Sequence, residues 1–207
     1  MARPLFYLLV YRLFVHSRYH NRKKVLSQCS FRLFARPLCF LHMETFRVLG
    51  IDPGFGRTGI GIVDIVRGEP VHVFHSVIET GMDLSFSDRL LCVRNDLNEV
   101  IRRFEPGMAC VESLFFQSNA KTAMKVGMAR GVVLLALADA KIPLIEMTPN
   151  QVKQGIAGWG GADKKQVQEM VKRFLKLKEI PKPDDAADAL ALAIVGGYVS
   201  KSVERRA

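Results

Sequence analysis

One segment leaves this chain few ways to fold: Arg47-Val48-Leu49-Gly50-Ile51-Asp52-Pro53-Gly54-Phe55-Gly56-Arg57-Thr58-Gly59-Ile60-Gly61-Ile62-Val63. Val48 to Ile51 is a short apolar run of the kind that lies inside a sheet. Thr58 to Ile65 alternates glycine with β-branched residues and predicts a second strand. Pro53 and the glycines between them demand a sharp turn and a close approach of backbone. Asp52 stands where the first strand runs out, among apolar neighbours, with Arg57 as its nearest base. A carboxylate there costs free energy unless it binds something. Taken alone, Asp52 is more simply explained as capping its own Asp-Pro-Gly turn. That explanation weakens once the other acids are counted.

The same grammar recurs at Met108-Ala109-Cys110-Val111-Glu112, an apolar run that ends in an acid. Two strands each ending in a carboxylate predict an α/β sheet with acids at one edge, where open α/β sheets bind their ligands. A third pair lies in Asp184-Asp185-Ala186-Ala187-Asp188-Ala189-Leu190-Ala191-Leu192-Ala193-Ile194-Val195, which predicts a helix after Pro181 and Pro183. Acids in a first turn complement the helix dipole, which accounts for Asp184 and in part for Asp185. Asp188 lies a turn further on and shares a face with Asp185. That face continues to Leu192 and Val195 and is expected to be buried. Like charges buried together are unfavourable unless a cation sits between them. Asp52, Glu112, Asp185 and Asp188 form an all-oxygen set, which selects Mg²⁺ or Mn²⁺ over zinc. Two such ions about 4 Å apart can activate a water and clamp a phosphodiester for in-line attack without a protein nucleophile.

The remaining elements are scaffold or ambiguous. Pro70 to Thr80 predicts a third strand. Asp83 to Phe104 predicts an amphipathic helix, with Ser85 and Asp88 as its start signal and Pro106-Gly107 as its stop. Phe115 and Phe116 follow Glu112 directly and serve either the core or base stacking. Ala120 to Ala138 predicts a helix on which Gly127 and Gly131 permit close packing against another helix. Ile142 to Met147 reads as a strand, Thr148-Pro149 opens a helix that carries Lys153, and Gly155 to Gly161 reads as a loop. Asp163 caps a further helix, with Gln166 three residues on. Lys164 and Lys165 then occupy first-turn positions that disfavour cations, unless a phosphate binds there.

Charge and cysteine content narrow the partners. The net charge is +10, but residues 1–42 hold eight of the 30 Lys and Arg and no acid. Any nucleic acid must therefore be held by local patches of the body, not by its overall field. Cys29, Cys39, Cys92 and Cys110 show no metal-knuckle or disulfide spacing, so a reducing, cytoplasmic location is expected. No apolar run is long enough to span a membrane.

Several motifs are carried together in order: Gly50-Ile51-Asp52-Pro53-Gly54 with Thr58-Gly59; Val111-Glu112; Lys125-Val126-Gly127-Met128-Ala129-Arg130-Gly131; Gln151-Val152-Lys153-Gln154; Lys164 with Gln166-Val167-Gln168; and Asp185-Ala186-Ala187-Asp188-Ala189-Leu190. In this the chain resembles the RuvC family of Holliday-junction resolvases, of the RNase H-like superfamily, over about residues 46–195. The resemblance implies an α/β, RNase H-like fold with a five-stranded mixed sheet flanked by helices. It implies a homodimer that cuts opposed strands of four-way junction DNA, leaving 5′-phosphate and 3′-hydroxyl ends, alongside a branch-migration motor of the RuvA and RuvB type. It carries the catalytic and metal-ligating role to Asp52, Glu112, Asp185 and Asp188, with two Mg²⁺ expected and Mn²⁺ able to substitute. It carries junction stacking to Phe115, and DNA-phosphate contact or catalytic support to Lys153 and Lys164. Phe55-Gly56, Ser113 and the extra acid Asp184 depart from the family pattern and touch the fine geometry and sequence preference.

Three rivals are separable. An ATPase of the actin and sugar-kinase class shares an Asp-x-Gly…Thr-Gly hairpin but needs two such domains. A non-catalytic junction-binding module would keep the acids as structure. Another RNase H-like nuclease would cut RNA or flaps. The expected organisation is an extension over 1–42 outside the domain, a nuclease domain over 43–200 and a tail over 201–207. Met43 is the favoured true start, ahead of a transit peptide and a basic DNA-binding arm. Intact mass of the native protein separates the first from the others.

Overall fold

In a computed structural model of the chain, the described residues are 45–113 and 120–204. The chain divides between Glu44 and Thr45, and all described residues belong to the second unit. Strand β1 (Thr45–Asp52) turns at Pro53-Gly54 into β2 (Arg57–Val66), which returns as β3 (Glu69–Glu79). Helix α1 (Phe86–Phe104) leads to β4 (Met108–Glu112), then α2 (Ala120–Asp139) to β5 (Leu144–Met147). Helices α3 (Pro149–Ala157), α4 (Lys164–Phe174) and α5 (Asp184–Glu204) complete the described part.

The five strands form one mixed sheet in the order β3-β2-β1-β4-β5. β1 and β2 pair antiparallel, as do β2 and β3. β4 joins β1 in parallel and β5 joins β4 in parallel. The five-stranded mixed sheet flanked by helices is the architecture expected from the sequence.

One face of the sheet carries Leu49, Ile51, Ile60, Ile62, Ala109 and Val111, packed against Val93 and Leu97 of α1 and Val133, Ala136 and Leu137 of α2. Alternation along the strands sends every second side chain there. The α1 start is the Ser85 cap, whose hydroxyl accepts from the Asp88 amide at 3.2 Å, and its end is Glu105 in the left-handed region. Arg47 fastens the same end, donating to Asp64 at 2.7 and 2.8 Å and to the Phe104 carbonyl at 3.0 Å.

The opposite face is a groove of glycines. Gly50, Gly59 and Gly61 have no side chain to hold α5 away, so the helix backbone lies on the sheet. A Cβ on Gly61 would meet the Leu190 amide nitrogen at 2.6 Å. Alanines on α5 make the approach reciprocal. From Ala186 to Val195 every residue except Asp188 is at most 2 % exposed, which makes α5 the central helix. A helix apolar on all sides must be covered on all sides. α3 helps cover it, since a Cβ on Gly155 would reach Val195 at 2.6 Å, and Phe174 of α4 meets Tyr198 with ring centroids 6.2 Å apart. Although α5 is long and apolar, no described helix meets the requirements for crossing a membrane.

Some boundaries differ from the sequence reading. α1 begins at Phe86, because Ser85 takes the cap and leaves Asp83 and Leu84 outside. β5 begins at Leu144 rather than Ile142, beyond the residue whose carbonyl, Pro143, accepts from Ala109 at 2.8 Å. α5 continues past Val195 to Glu204.

Candidate active site

The register of the sheet sets the first two acids side by side. Ile51 pairs with Val111 in the parallel β1–β4 ladder, so Asp52 and Glu112 leave adjacent strands at the same edge. Asp52 itself pairs with Gly59 across β2. A Cβ on Gly59 would strike the Asp185 carbonyl, so the first turn of α5 rests directly opposite Asp52. One strand end, its neighbour and a helix start thus bring Asp52, Glu112, Asp185 and Asp188 to one corner.

Their electrostatics show the crowding. Burial, reinforced by Glu112, Asp188 and Asp185, pushes the Asp52 carboxyl from its ordinary 3.8 to about 8. Glu112 is also raised, chiefly by burial and by Asp188, while its hydrogen bond from Asp52 works the other way. Burial and mutual repulsion thus disfavour two full negative charges on this pair when no cation is present. Burial raises Asp188 too, although Lys164 opposes the shift. The expectation of a buried Asp185–Asp188 face needs correction. Their side chains are 31 % and 34 % exposed, because the stripe emerges from the core at its first turns.

Protein cations flank the two helix acids. Lys164, the first residue of α4, places Nζ 3.4 Å from Asp188 and 3.1 Å from Asp184. Burial opposes charge on Lys164, but Asp184 and Asp188 outweigh it and raise its pKa. Arg57 reaches Asp185 at 3.9 Å while bonding Glu79 at 2.7 and 3.0 Å. Among the described residues no group of three or more His, Cys, Asp or Glu converges closely enough to hold a metal ion as placed. Mutual repulsion and the pull of Lys164 and Arg57 are sufficient reason for that spread. The donor chemistry nonetheless suits a hard divalent cation: all donors are oxygens, and the raised carboxyls of Asp52 and Glu112 lack a compensating positive charge. The buried Ser113 hydroxyl, one residue past Glu112, has no hydrogen-bond partner among the described residues.

Two supporting residues went unassigned in the sequence reading. Arg130 of α2 donates from Nε to the Glu112 carbonyl at 3.2 Å and pairs with Glu146 of β5 at 2.9 Å. It fixes the end of β4 across 18 residues of chain, a distance no local pattern encodes. Misplacing a reacting group by 1 Å costs about a hundredfold, so Arg130→Met, which shifts the end of β4 by less, is expected to lower the kcat of a reaction at this corner about tenfold with little change in KM. Asp184 is the second, legible only as a dipole complement until its contact with Lys164 is seen. Lys153 lies half-buried on α3, and no ion pair holds it among the described residues. Phe115 and Phe116 lie outside the described residues. Phe55, one departure from the family pattern, packs away from the acids: it stacks on Phe86 at 5.0 Å with the Arg89 guanidinium 3.9 Å above its ring.

Comparison with known proteins bears on what this corner does. A family model described as "Crossover junction endodeoxyribonuclease RuvC" matches residues 48–196. The chain is 52 % identical over 147 residues to the crossover junction endodeoxyribonuclease RuvC of Thermotoga petrophila, covering 71 % of this chain and 89 % of that one. The structure of Thermus thermophilus RuvC superposes with a TM-score of 0.72 at 35 % identity, over 76 % of this chain and 97 % of the other. The same protein in complex with a Holliday junction substrate gives 0.70 at 34 % identity, over 76 % and 96 %.

Proposed function

The chain belongs to the RuvC family of crossover junction endodeoxyribonucleases, and from that premise we propose how its residues cut DNA. The enzyme is a structure-selective endonuclease that resolves four-way (Holliday) junctions, and nucleases of this family are metal-dependent. The observation that carries the catalytic assignment is the convergence of β1, β4 and the first turns of α5 on one corner.

Asp52, Glu112, Asp185 and Asp188 are the residues that would hold metal, two Mg²⁺ per site with Mn²⁺ able to substitute. A divalent cation held there supplies positive charge to the scissile phosphate and acidifies water. Asp52 and Glu112 would offer their carboxylates from the strand ends, where a bound cation would offset the cost of burying their charge. Asp185 and Asp188 close the set from the helix side. Their one-third exposure leaves the corner open to a DNA strand. Glu112, fixed by Arg130, sets the position of the β4 ligand. Water is the nucleophile and the 3′-oxygen leaves, giving 5′-phosphate and 3′-hydroxyl ends. Lys153 and Lys164 contact the phosphate backbone, and Phe115 stacks at the junction. Cleavage of a synthetic mobile four-way junction with Mg²⁺, Mn²⁺ or EDTA tests this. Paired nicks with either metal and none with EDTA are expected; metal-independent nicking would overturn the metal assignment.

Opposed nicks need two centres, and α2 offers the surface for a homodimer. Its exposed face reads Met124, Met128, Gly131, Leu135 and Ala138, an apolar seam in 4-3-4-3 spacing. Met124 is 63 % and Leu135 58 % exposed. Such a seam suits a second copy of the same helix. A Cβ on Gly131 would meet nothing within 4 Å. Gly131→Arg is therefore expected to leave the fold's Tm unchanged while shifting the dimer to monomer in sedimentation. Paired nicking would then give way to single nicks. A dimer that survives the substitution would place the interface elsewhere. We further assign the enzyme to the cytoplasm, working beside a branch-migration motor, in keeping with free Cys92 and Cys110.

A further inference from the structure

Lys164 is shared between two acids of different standing. Asp188 belongs to the catalytic corner. Asp184 is more exposed, at 65 %, lies outside that set, and is also held by Gln168. Arg57 repeats the pattern, bonded to the outer Glu79 and reaching the inner Asp185 at 3.9 Å. An exposed ion pair adds little to fold stability, so the Lys164–Asp184 contact is not there to hold α4 against α5. Its effect is local. An ammonium 3.4 Å from a ligand oxygen of Asp188 occupies the space and lone pairs a divalent cation needs. The flexible four-carbon stem lets Nζ move between the two carboxylates without moving the backbone.

We infer that Lys164 is a resident counter-ion of the acidic corner, neutralising Asp188 while no divalent cation is bound, and that Asp184 is the positioning residue that receives the ammonium when one binds. The inference rests on the four acids being the metal seat. Lys164 therefore competes with metal, and Asp184 eases that competition by offering the ammonium a second seat at the rim. This gives the extra acid, which the helix dipole alone would accommodate, a specific purpose.

Mn²⁺ titration of the full chain without DNA, read from the electron paramagnetic resonance of free Mn²⁺, tests it. Lys164→Met is expected to tighten Mn²⁺ binding about three- to tenfold, the size of a unit charge removed from several ångströms in high dielectric. Lys164→Gln should do the same, and circular dichroism should show both folded. Asp184→Asn is expected to weaken binding about two- to threefold, because the ammonium is left with Asp188 alone. In the Lys164→Met background Asp184→Asn should change nothing. Unchanged or weaker binding in both Lys164 variants would overturn the inference. So would an Asp184→Asn effect that persists without Lys164, since Asp184 would then act on the metal directly. A wild-type chain that binds Mn²⁺ no better than Asp52→Asn would fail the metal seat itself, and the counter-ion inference with it.

Discussion

Asp52→Asn is expected to abolish junction nicking and, in the same protein, to raise the melting temperature of the metal-free chain at pH 8. The first effect follows from removing a ligand oxygen at the strand end. Metal stabilises a phosphoryl transition state by several kcal/mol, and losing about 4 kcal/mol of that is about a thousandfold in rate. The second follows from burial. A carboxyl raised from 3.8 to about 8 binds a proton in the folded chain that the unfolded chain releases. Its contribution to stability is fully present below pH 3.8 and is lost as pH rises through about 8. Sharing of the proton with Glu112 and local relaxation reduce the full linkage, leaving about 2 kcal/mol against the metal-free fold at pH 8. Asparagine removes that charge and still hydrogen-bonds Glu112. In EDTA at pH 8 the variant should melt about 4–8 °C higher than wild type, and the gap should close as pH falls toward 4. Added Mn²⁺ should stabilise wild type and leave the variant nearly unmoved. A variant that melts lower than wild type in EDTA would mean that Asp52 serves the fold and not a cation.

The second large effect concerns glycine, where a single methyl group should act on stability or on catalysis according to its position beneath α5. A Cβ on Gly50 would strike the Ala189 carbonyl and meet the Ala193 amide nitrogen at 2.6 Å, both backbone atoms in the middle of a covered helix. Neither can rotate away. Gly50→Ala is expected to destabilise the fold by about 3 kcal/mol, lowering Tm by about 6–12 °C. The gain in strand rigidity, about 0.5 kcal/mol, does not offset it. Gly59→Ala presses instead on the Asp185 carbonyl and carbon, at the open first turn of α5. The helix end can lift there, so the loss of stability should be smaller and the loss of kcat larger, about a hundredfold for a displacement near 1 Å. Calorimetry and single-turnover nicking, run on both variants at 20 °C, separate the two. Equal effects on both measurements for both variants would mean that α5 moves as a rigid rod.

Much of this corner was legible from the chain. An apolar run that ends in an acid marks a strand and its exit, and two such runs in one α/β pattern place Asp52 and Glu112 at one edge. The Asp185–Asp188 spacing marks a shared helix face. What the chain could not show is how far that face stays open, because exposure depends on where α5 emerges from the sheet. Nor could it reveal that Gly50, Gly59 and Gly61 form a bed for residues more than 120 positions later. Glycine in a strand reads only as weak strand until its partner is known. Arg130 escaped, as did the contact of Lys164 with Asp184 and Asp188, for a related reason. Each acts through a long side chain across the fold, and sequence periodicity records faces, not reach.

The bed beneath α5 also determines when the enzyme becomes dangerous. Asp52 emerges early from the ribosome and Glu112 midway, but Asp185 and Asp188 sit on the last described element. Until that helix is synthesised and laid into its groove, the nascent chain has half of its acidic corner and a bare glycine-lined sheet. A chain that stops short of α5 therefore lacks two of the four proposed ligands. Late, long-range closure slows folding, and on the proposed assignment it delays a complete acidic corner until α5 is laid into its groove.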